Sequence, residues 1–71
     1  DLLISHRRKF IAIEIKSAQT FQPEFITGIK SFKSSISQDE LLQSQLWYDG
    51  KHATTYQDVR VYNPLLNGMD I

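Results

Sequence analysis

Two short apolar runs occupy the first quarter of the chain, the second of them ending in alternating apolar and polar residues, and apolar residues recur at helical spacing in the second quarter. Residues 1–5 and 9–17 are rich in Ile and Leu with a period of two, which predicts two β-strands. The basic segment between them, residues 6–9, predicts the turn of an antiparallel hairpin.

The period changes after Ser17, where the sequence predicts a helix. Pro23 suits the first position of a helix, and Glu24 places a negative charge in the first turn, where the helix dipole favours it. One apolar stripe at spacings of four, three and four follows: Phe25, Ile29, Phe32 and Ile36. This stripe predicts that the helix covers one face of a sheet.

Three further strands are predicted in the second half of the chain, at residues 41–48, 53–56 and 59–62. Asp49-Gly50 is a turn signal after the first of them, and Asn63-Pro64 ends the sheet. Residues 65–71 form a terminal tail without a predicted element. The order strand, strand, helix, strand, strand, strand predicts an α/β (α+β) fold with a mixed sheet.

Composition restricts the chain to one small domain that we expect to be a piece of a longer, cytoplasmic protein. A chain of 71 residues buries little apolar surface, so we expect an upstream segment to complete its core. Eight basic and eight acidic residues cancel, which removes an overall positive field for nucleic acid. The absence of cysteine is typical of a reducing compartment. Apolar runs fall short of the ~20 residues that span a membrane, and these 71 residues contain no signal-peptide pattern.

The candidate chemistry lies in the triplet Glu14-Ile15-Lys16, thirteen residues after Asp1. Strand alternation places the side chains of Glu14 and Lys16 on one face, and an antiparallel partner strand brings Asp1 near Glu14. Carboxylate and carbonyl oxygens are preferred ligands of Mg²⁺ and Mn²⁺. Asp1, Glu14 and the Ile15 carbonyl are therefore candidate metal ligands, and Lys16 would orient water or stabilise the pentavalent phosphate in phosphodiester cleavage.

A simpler interpretation stays open at this point. Glu-x-Lys occurs frequently by chance, and an exposed pair on a strand contributes only about 0–1 kcal/mol. The chain would then be an α/β domain in which Glu14 and Lys16 form a surface ion pair. The basic residues 6–9 have two interpretations as well: a phosphate contact in a turn beside the metal site, or a solvated turn.

The residues also resemble a known family. The resemblance is to the C-terminal domain of unknown function of prokaryotic AAA-type ATPases, which is similar to the PD-(D/E)XK nuclease-like superfamily. The segments that carry it are Asp1-Leu2-Leu3-Ile4, Ile13-Glu14-Ile15-Lys16-Ser17, Phe21 through Gly28, Phe32, Tyr48-Asp49-Gly50 and Val59-Arg60-Val61. The resemblance implies a truncated restriction-endonuclease-like core over residues 1–64, followed by the tail at 65–71.

In this resemblance Asp1 matches the first acidic position of the motif, Glu14 the second and Lys16 the lysine. These three residues would be catalytic, with Mg²⁺ or Mn²⁺ as cofactor, and the implied partners are DNA and an upstream ATPase domain. No proline precedes Asp1, a supporting acidic helix would lie upstream, and no Gly-rich phosphate loop is present. We therefore expect no ATP site in these residues and no activity from the fragment alone.

Whether the parent protein is an enzyme is left open by the sequence. The alternative function is a non-catalytic interaction or regulatory module that retains the nuclease-like fold, because a fold does not determine a function. Such a module would bind a partner, dock nucleic acid or form a homo-oligomer.

Overall fold

Five β-strands form one mixed sheet in the computed structural model, which describes residues 2–7, 9–36 and 40–69. The strands are β1 (Leu2–His6), β2 (Lys9–Ile15), β3 (Leu41–Trp47), β4 (Thr54–Tyr56) and β5 (Val59–Tyr62). Their order across the sheet is β1-β2-β3-β5-β4. The predicted order from the first strand to the last and the mixed α+β class are confirmed. The predicted tail at residues 65–71 differs, because a short second helix begins at Pro64 and extends into it.

The antiparallel hairpin of β1 and β2 agrees with the sequence pattern. Leu2 lies opposite Ile13, and His6 lies opposite Lys9 at the turn. Glu14 therefore lies at the end of β2 that is remote from the turn, five residues or about 16 Å along the strand from Lys9. The interpretation that places the basic turn beside the Glu14 site is wrong, because a hairpin separates its turn from its open end.

The connection from β2 to β3 contains the predicted helix. Pro23–Ile26 forms a 3₁₀ turn that continues into α1, Thr27–Ser35. Because β2 and β3 are parallel, this helix is the crossover between them. Ile26 lies outside the predicted stripe yet is buried with Ile29, since a 3₁₀ turn of three residues aligns positions three apart.

The core lies between α1 and one face of the sheet, which we call the helix face. Pairing places Glu14 beside Leu46 and Leu46 beside Val61, so these three residues share that face. The buried cluster consists of Ile26, Ile29, Leu46, Tyr48, Val59 and Val61. Phe21, Phe25 and Tyr56 pack at its margin, which anchors the segment before α1 to the last two strands.

A hydrogen-bonded group of polar and aromatic side chains occupies the opposite face. Gln45 and Tyr62 are both 0% exposed. The Tyr62 hydroxyl donates to Gln45 Oε1 at 2.6 Å, and Trp47 Nε1 donates to the same oxygen at 2.9 Å. Gln45 Nε2 donates to Gln43 Oε1 at 2.9 Å. The second face is thus closed by polar contacts rather than by aliphatic packing alone.

The last two strands, β4 and β5, form a tight hairpin, although the residues between them are not a typical turn sequence. Gln57 and Asp58 connect them and have φ angles of 49° and 67°, as a type I′ turn requires. After β5, Asn63 caps a short helix, α2 (Pro64–Asn67), whose Leu65 N–H donates to Asn63 Oδ1 at 3.0 Å. Within the described ranges, no helix combines the length and apolarity needed to cross a bilayer.

The hydroxyl group of Ser44, on the helix face, is buried and forms no hydrogen bond within the described residues. It lies between Ala12 of β2 and Val59 of β5, it is 3% exposed, and its Oγ has no partner among the described residues. A buried unpaired hydroxyl costs about 1–3 kcal/mol. We expect Ser44→Ala to raise the free energy of unfolding by about 1 kcal/mol in urea denaturation, whereas the exposed control Ser17→Ala leaves it unchanged. A loss of stability in Ser44→Ala would contradict this assignment.

Candidate functional site

Glu14 and Lys16 lie side by side at the carboxyl end of β2. Glu14 Oε1 is 3.5 Å from Lys16 Nζ. The Glu14 residue is 8% exposed, whereas the Lys16 side chain is 40% exposed. The predicted shared face is confirmed, and the carboxylate is not at the surface. The simpler interpretation of an exposed surface pair therefore does not describe this pair, since one of its members is buried.

Aromatic and helical neighbours determine this environment. Lys16 Nζ lies 5.8 Å from the centre of the Phe25 ring, within the range of a cation–π contact. A Cβ added at Gly28 of α1 would lie 3.5 Å from Glu14 Oε1, an ordinary van der Waals contact. The first turn of α1 thus approaches the carboxylate closely, and the 3₁₀ turn approaches the ammonium group.

The main chain of Ile15 faces the β1 side of the sheet. Lys16 N–H donates to the Trp47 carbonyl of β3 at 2.9 Å, and the main-chain groups of successive strand residues face alternate sides. The Ile15 carbonyl therefore faces the side from which β1 approaches. In the described residues the pairing with β1 ends at Ile13, so this carbonyl is not part of the β1 ladder there.

Asp1 lies outside the described residues, so its predicted proximity to Glu14 stays a prediction. The described neighbour Leu2 is paired with Ile13, the residue that precedes Glu14. Across residues 2–7, 9–36 and 40–69 no group of three or more His, Cys, Asp or Glu residues could hold a metal ion. The described part of the candidate metal site is accordingly the Glu14 carboxylate and the Ile15 carbonyl.

A cavity of about 250 Å³ adjoins Glu14 between β1, β2 and α1. Leu3, Ala12 and Phe32 contribute its apolar walls, and Glu14 is the ionisable residue of its lining. The sequence identified Phe32 as a member of the apolar stripe but did not place it beside the triplet. Its spacing of four from Gly28, one helical turn, is the signal that relates the two positions.

Comparison with known proteins gives one family. The family model of a domain of unknown function, DUF4143, matches residues 1–67. Domains of this family are generally associated with ATPase-containing proteins. Searches of curated proteins and of solved structures found no match to this chain.

Proposed function

Since the chain belongs to the DUF4143 family of domains of unknown function, we propose that it is the nuclease-like domain of a longer ATPase-containing protein. In that protein it would hydrolyse phosphodiester bonds of DNA with the help of Mg²⁺ or Mn²⁺. The resemblance of Asp1, Glu14 and Lys16 to the PD-(D/E)XK motif motivates this proposal. The parent protein would act in the cytoplasm, as the absence of cysteine favours.

The observation that carries the proposal is the pairing of a buried carboxylate with a partly exposed ammonium group. The two groups are 3.5 Å apart at the end of a strand, and Lys16 is the more exposed of them. A buried carboxylate is costly unless it is paired or holds a cation. Glu14 therefore suits the inner position of a metal site, and Lys16 suits the outer position, where a phosphate group arrives from solvent.

The described donor atoms fit part of a magnesium or manganese site. Mg²⁺ is commonly held by one or two carboxylates and several waters, all of them oxygen ligands. Glu14 supplies a carboxylate, and the Ile15 carbonyl faces the neighbouring side of β2. Asp1 would add the second carboxylate. When bound, such an ion would activate water and offset the charge that develops on the phosphate.

Lys16 would stabilise the negative charge on the phosphate group during hydrolysis. In the hydrolysis, a water oxygen forms a bond to phosphorus while the bond from phosphorus to the leaving oxygen breaks. The attacking water gives up a proton to solvent, and the leaving oxygen takes up a proton from solvent to become a hydroxyl group. Lys16 Nζ would donate a hydrogen bond to a non-bridging phosphate oxygen. This contact strengthens as negative charge accumulates, so it stabilises the transition state more than the ground state.

We expect Lys16→Ala to reduce DNA cleavage by about a hundredfold, because removal of one charge-stabilising donor costs about 10²–10³ in rate. The measurement is cleavage of plasmid and single-stranded DNA by the intact protein in Mg²⁺ and in Mn²⁺. Lys30→Ala, which removes an exposed lysine from α1, is the matched control and should cleave like the wild type. Equal cleavage by the wild type and Lys16→Ala would contradict the role given to Lys16.

A non-catalytic interaction or regulatory module is the second candidate function, and the composition of the cavity favours it. The walls beside Glu14 are largely apolar, and Lys16 lies over the Phe25 ring, so Lys16 would serve chiefly to join the end of β2 to the 3₁₀ turn before α1. This candidate predicts no metal-dependent cleavage by the wild-type protein, together with lower stability of Lys16→Ala. The module would then act by binding a partner or a second copy of the chain.

A further inference from the structure

A second and larger cavity lies at the carboxyl ends of the parallel strands β2 and β3. We call it the β2–β3 cleft and define it by Gln19, Thr20 and Phe21 after β2, and by Asp49, Lys51 and His52 after β3. Ligands of α/β sheets bind outside the carboxyl ends of parallel strands. The cleft encloses about 580 Å³, within the range of about 300–1,000 Å³ for small-molecule sites, whereas the cavity beside Glu14 lies below that range.

Main-chain and side-chain hydrogen bonds fix the walls of the cleft. Asp49 N–H donates to the Ala18 carbonyl at 2.7 Å, which joins the loop after β2 to the loop after β3. The Tyr48 hydroxyl donates to the His52 carbonyl at 2.6 Å. Glycine is required at position 50, in the loop after β3. A Cβ at this position would overlap the Tyr48 ring and lie 2.6 Å from the Gln19 carbonyl oxygen. The two loops are therefore preorganised.

The polar side chains that line the cleft are available to a ligand. The side chains of Gln19, Asp49, Lys51 and His52 are exposed, and within the described residues they form no hydrogen bond or ion pair with one another or with other side chains. Phe21 is half-buried and forms an edge contact with Phe25, whose ring lies near Lys16 Nζ. The cleft is thus adjacent to the proposed phosphodiester site through two aromatic rings.

We propose that the β2–β3 cleft binds an unpaired nucleotide of the DNA strand, next to the phosphodiester that the Glu14 site would cleave. Lys51 and His52 would contact its phosphate, and Gln19 and Asp49 would contact donors and acceptors of its base. The Asp49 carboxylate disfavours a simple anion as the ligand, whereas a nucleotide combines an anionic phosphate with hydrogen-bond donors on the base. The choice of nucleotide rests on the proposed function.

The test is DNA binding by the intact protein in EDTA, measured as fluorescence anisotropy of a labelled 12-nucleotide single strand. EDTA separates this proposal from the proposed function, because binding is then read without hydrolysis. We expect Lys51→Ala to weaken binding about fivefold and to reduce the salt slope by about 0.7, the effect of one phosphate contact on a single strand. The matched control Lys30→Ala removes the same charge from α1 and should change neither quantity.

Photo-crosslinking locates the base. A single strand with 5-iodouracil, irradiated with the intact protein, should crosslink to Phe21 or to its neighbours in the cleft, and Gln19→Ala should reduce the yield. Equal effects of Lys51→Ala and Lys30→Ala would overturn the proposal, as would crosslinks confined to other segments. Failure of the wild type to bind, or Lys51-dependent binding that is tighter for duplex than for single-stranded DNA, would overturn it as well.

Discussion

Replacement of Glu14 by glutamine should abolish most of the DNA cleavage that we propose for the intact protein, with a rate at least about a thousandfold below the wild type. This corresponds to about 4 kcal/mol of lost transition-state stabilisation. Glutamine keeps the size of the side chain and one carbonyl oxygen, but it removes the negative charge that would hold a divalent cation. Glu14 is 8% exposed, and its Oε1 lies 3.5 Å from Lys16 Nζ. Because the site is buried, water would not take the place of the lost carboxylate.

Mn²⁺ binding provides a readout that does not depend on cleavage. Electron paramagnetic resonance of free Mn²⁺ should show affinity at least about tenfold lower for Glu14→Gln than for the wild type. Glu24→Gln is the matched control, since Glu24 is exposed in the 3₁₀ turn before α1. If Glu14→Gln binds Mn²⁺ and cleaves DNA like the wild type, the assignment of Glu14 as a metal ligand is wrong.

The first hairpin and the helix were predictable because their patterns are local. Alternation over residues 9–17 identifies β2, and Pro23 marks the start of the helical segment. The predicted strand extends two residues beyond Ile15, where β2 ends. After Ile15 the chain forms main-chain hydrogen bonds with the end of β3 and the loop after it instead of regular strand pairing. One of them joins Asp49 N–H to the Ala18 carbonyl. The alternation of apolar and polar residues within one strand does not predict such contacts between segments that are distant in sequence.

Strand order was less predictable, because it depends on which strands meet in space. The Asp49-Gly50 turn signal follows β3, yet β3 is paired in parallel with β5, and β4 lies at the sheet edge. The tight hairpin is formed instead by Gln57 and Asp58, neither of which is glycine or asparagine. The shared face of Glu14 and Lys16 followed from alternation alone, whereas the burial of Glu14 depends on where α1 lies.

Gln45 is the clearest residue that the polar and apolar pattern misclassifies. Alternating Gln43 and Gln45 in β3 are typical of a solvent-exposed face, but Gln45 is 0% exposed. Its Oε1 accepts hydrogen bonds from Tyr62 and Trp47, and its amide donates to Gln43. A side chain with both donors and acceptors can be buried without a loss of stability when each of these groups forms a hydrogen bond. Sequence shows the polarity of such a residue but not its partners.

Gln45→Ala should therefore lower the free energy of unfolding of the 71-residue chain by about 3–5 kcal/mol, a large fraction of the ~4–10 kcal/mol typical of this length. The change leaves a cavity, at about 2–5 kcal/mol for side chains of this size, and removes the main acceptor of the Tyr62 hydroxyl. Urea unfolding followed by far-UV circular dichroism measures the difference. The exposed control Gln22→Ala, whose side chain forms no cap hydrogen bond, should stay within about 0.5 kcal/mol of the wild type.

Gln45→Leu separates the two contributions, because leucine nearly fills the volume but offers no acceptor. Trp47 Nε1 also lies 3.1 Å from the Tyr62 hydroxyl oxygen, so these two groups retain one hydrogen bond with each other in this variant. We expect a loss of about 1–3 kcal/mol, smaller than that of Gln45→Ala. A Gln45→Leu chain as stable as the wild type would show that this face is stabilised by packing alone, and that the buried hydrogen bonds add nothing to its stability.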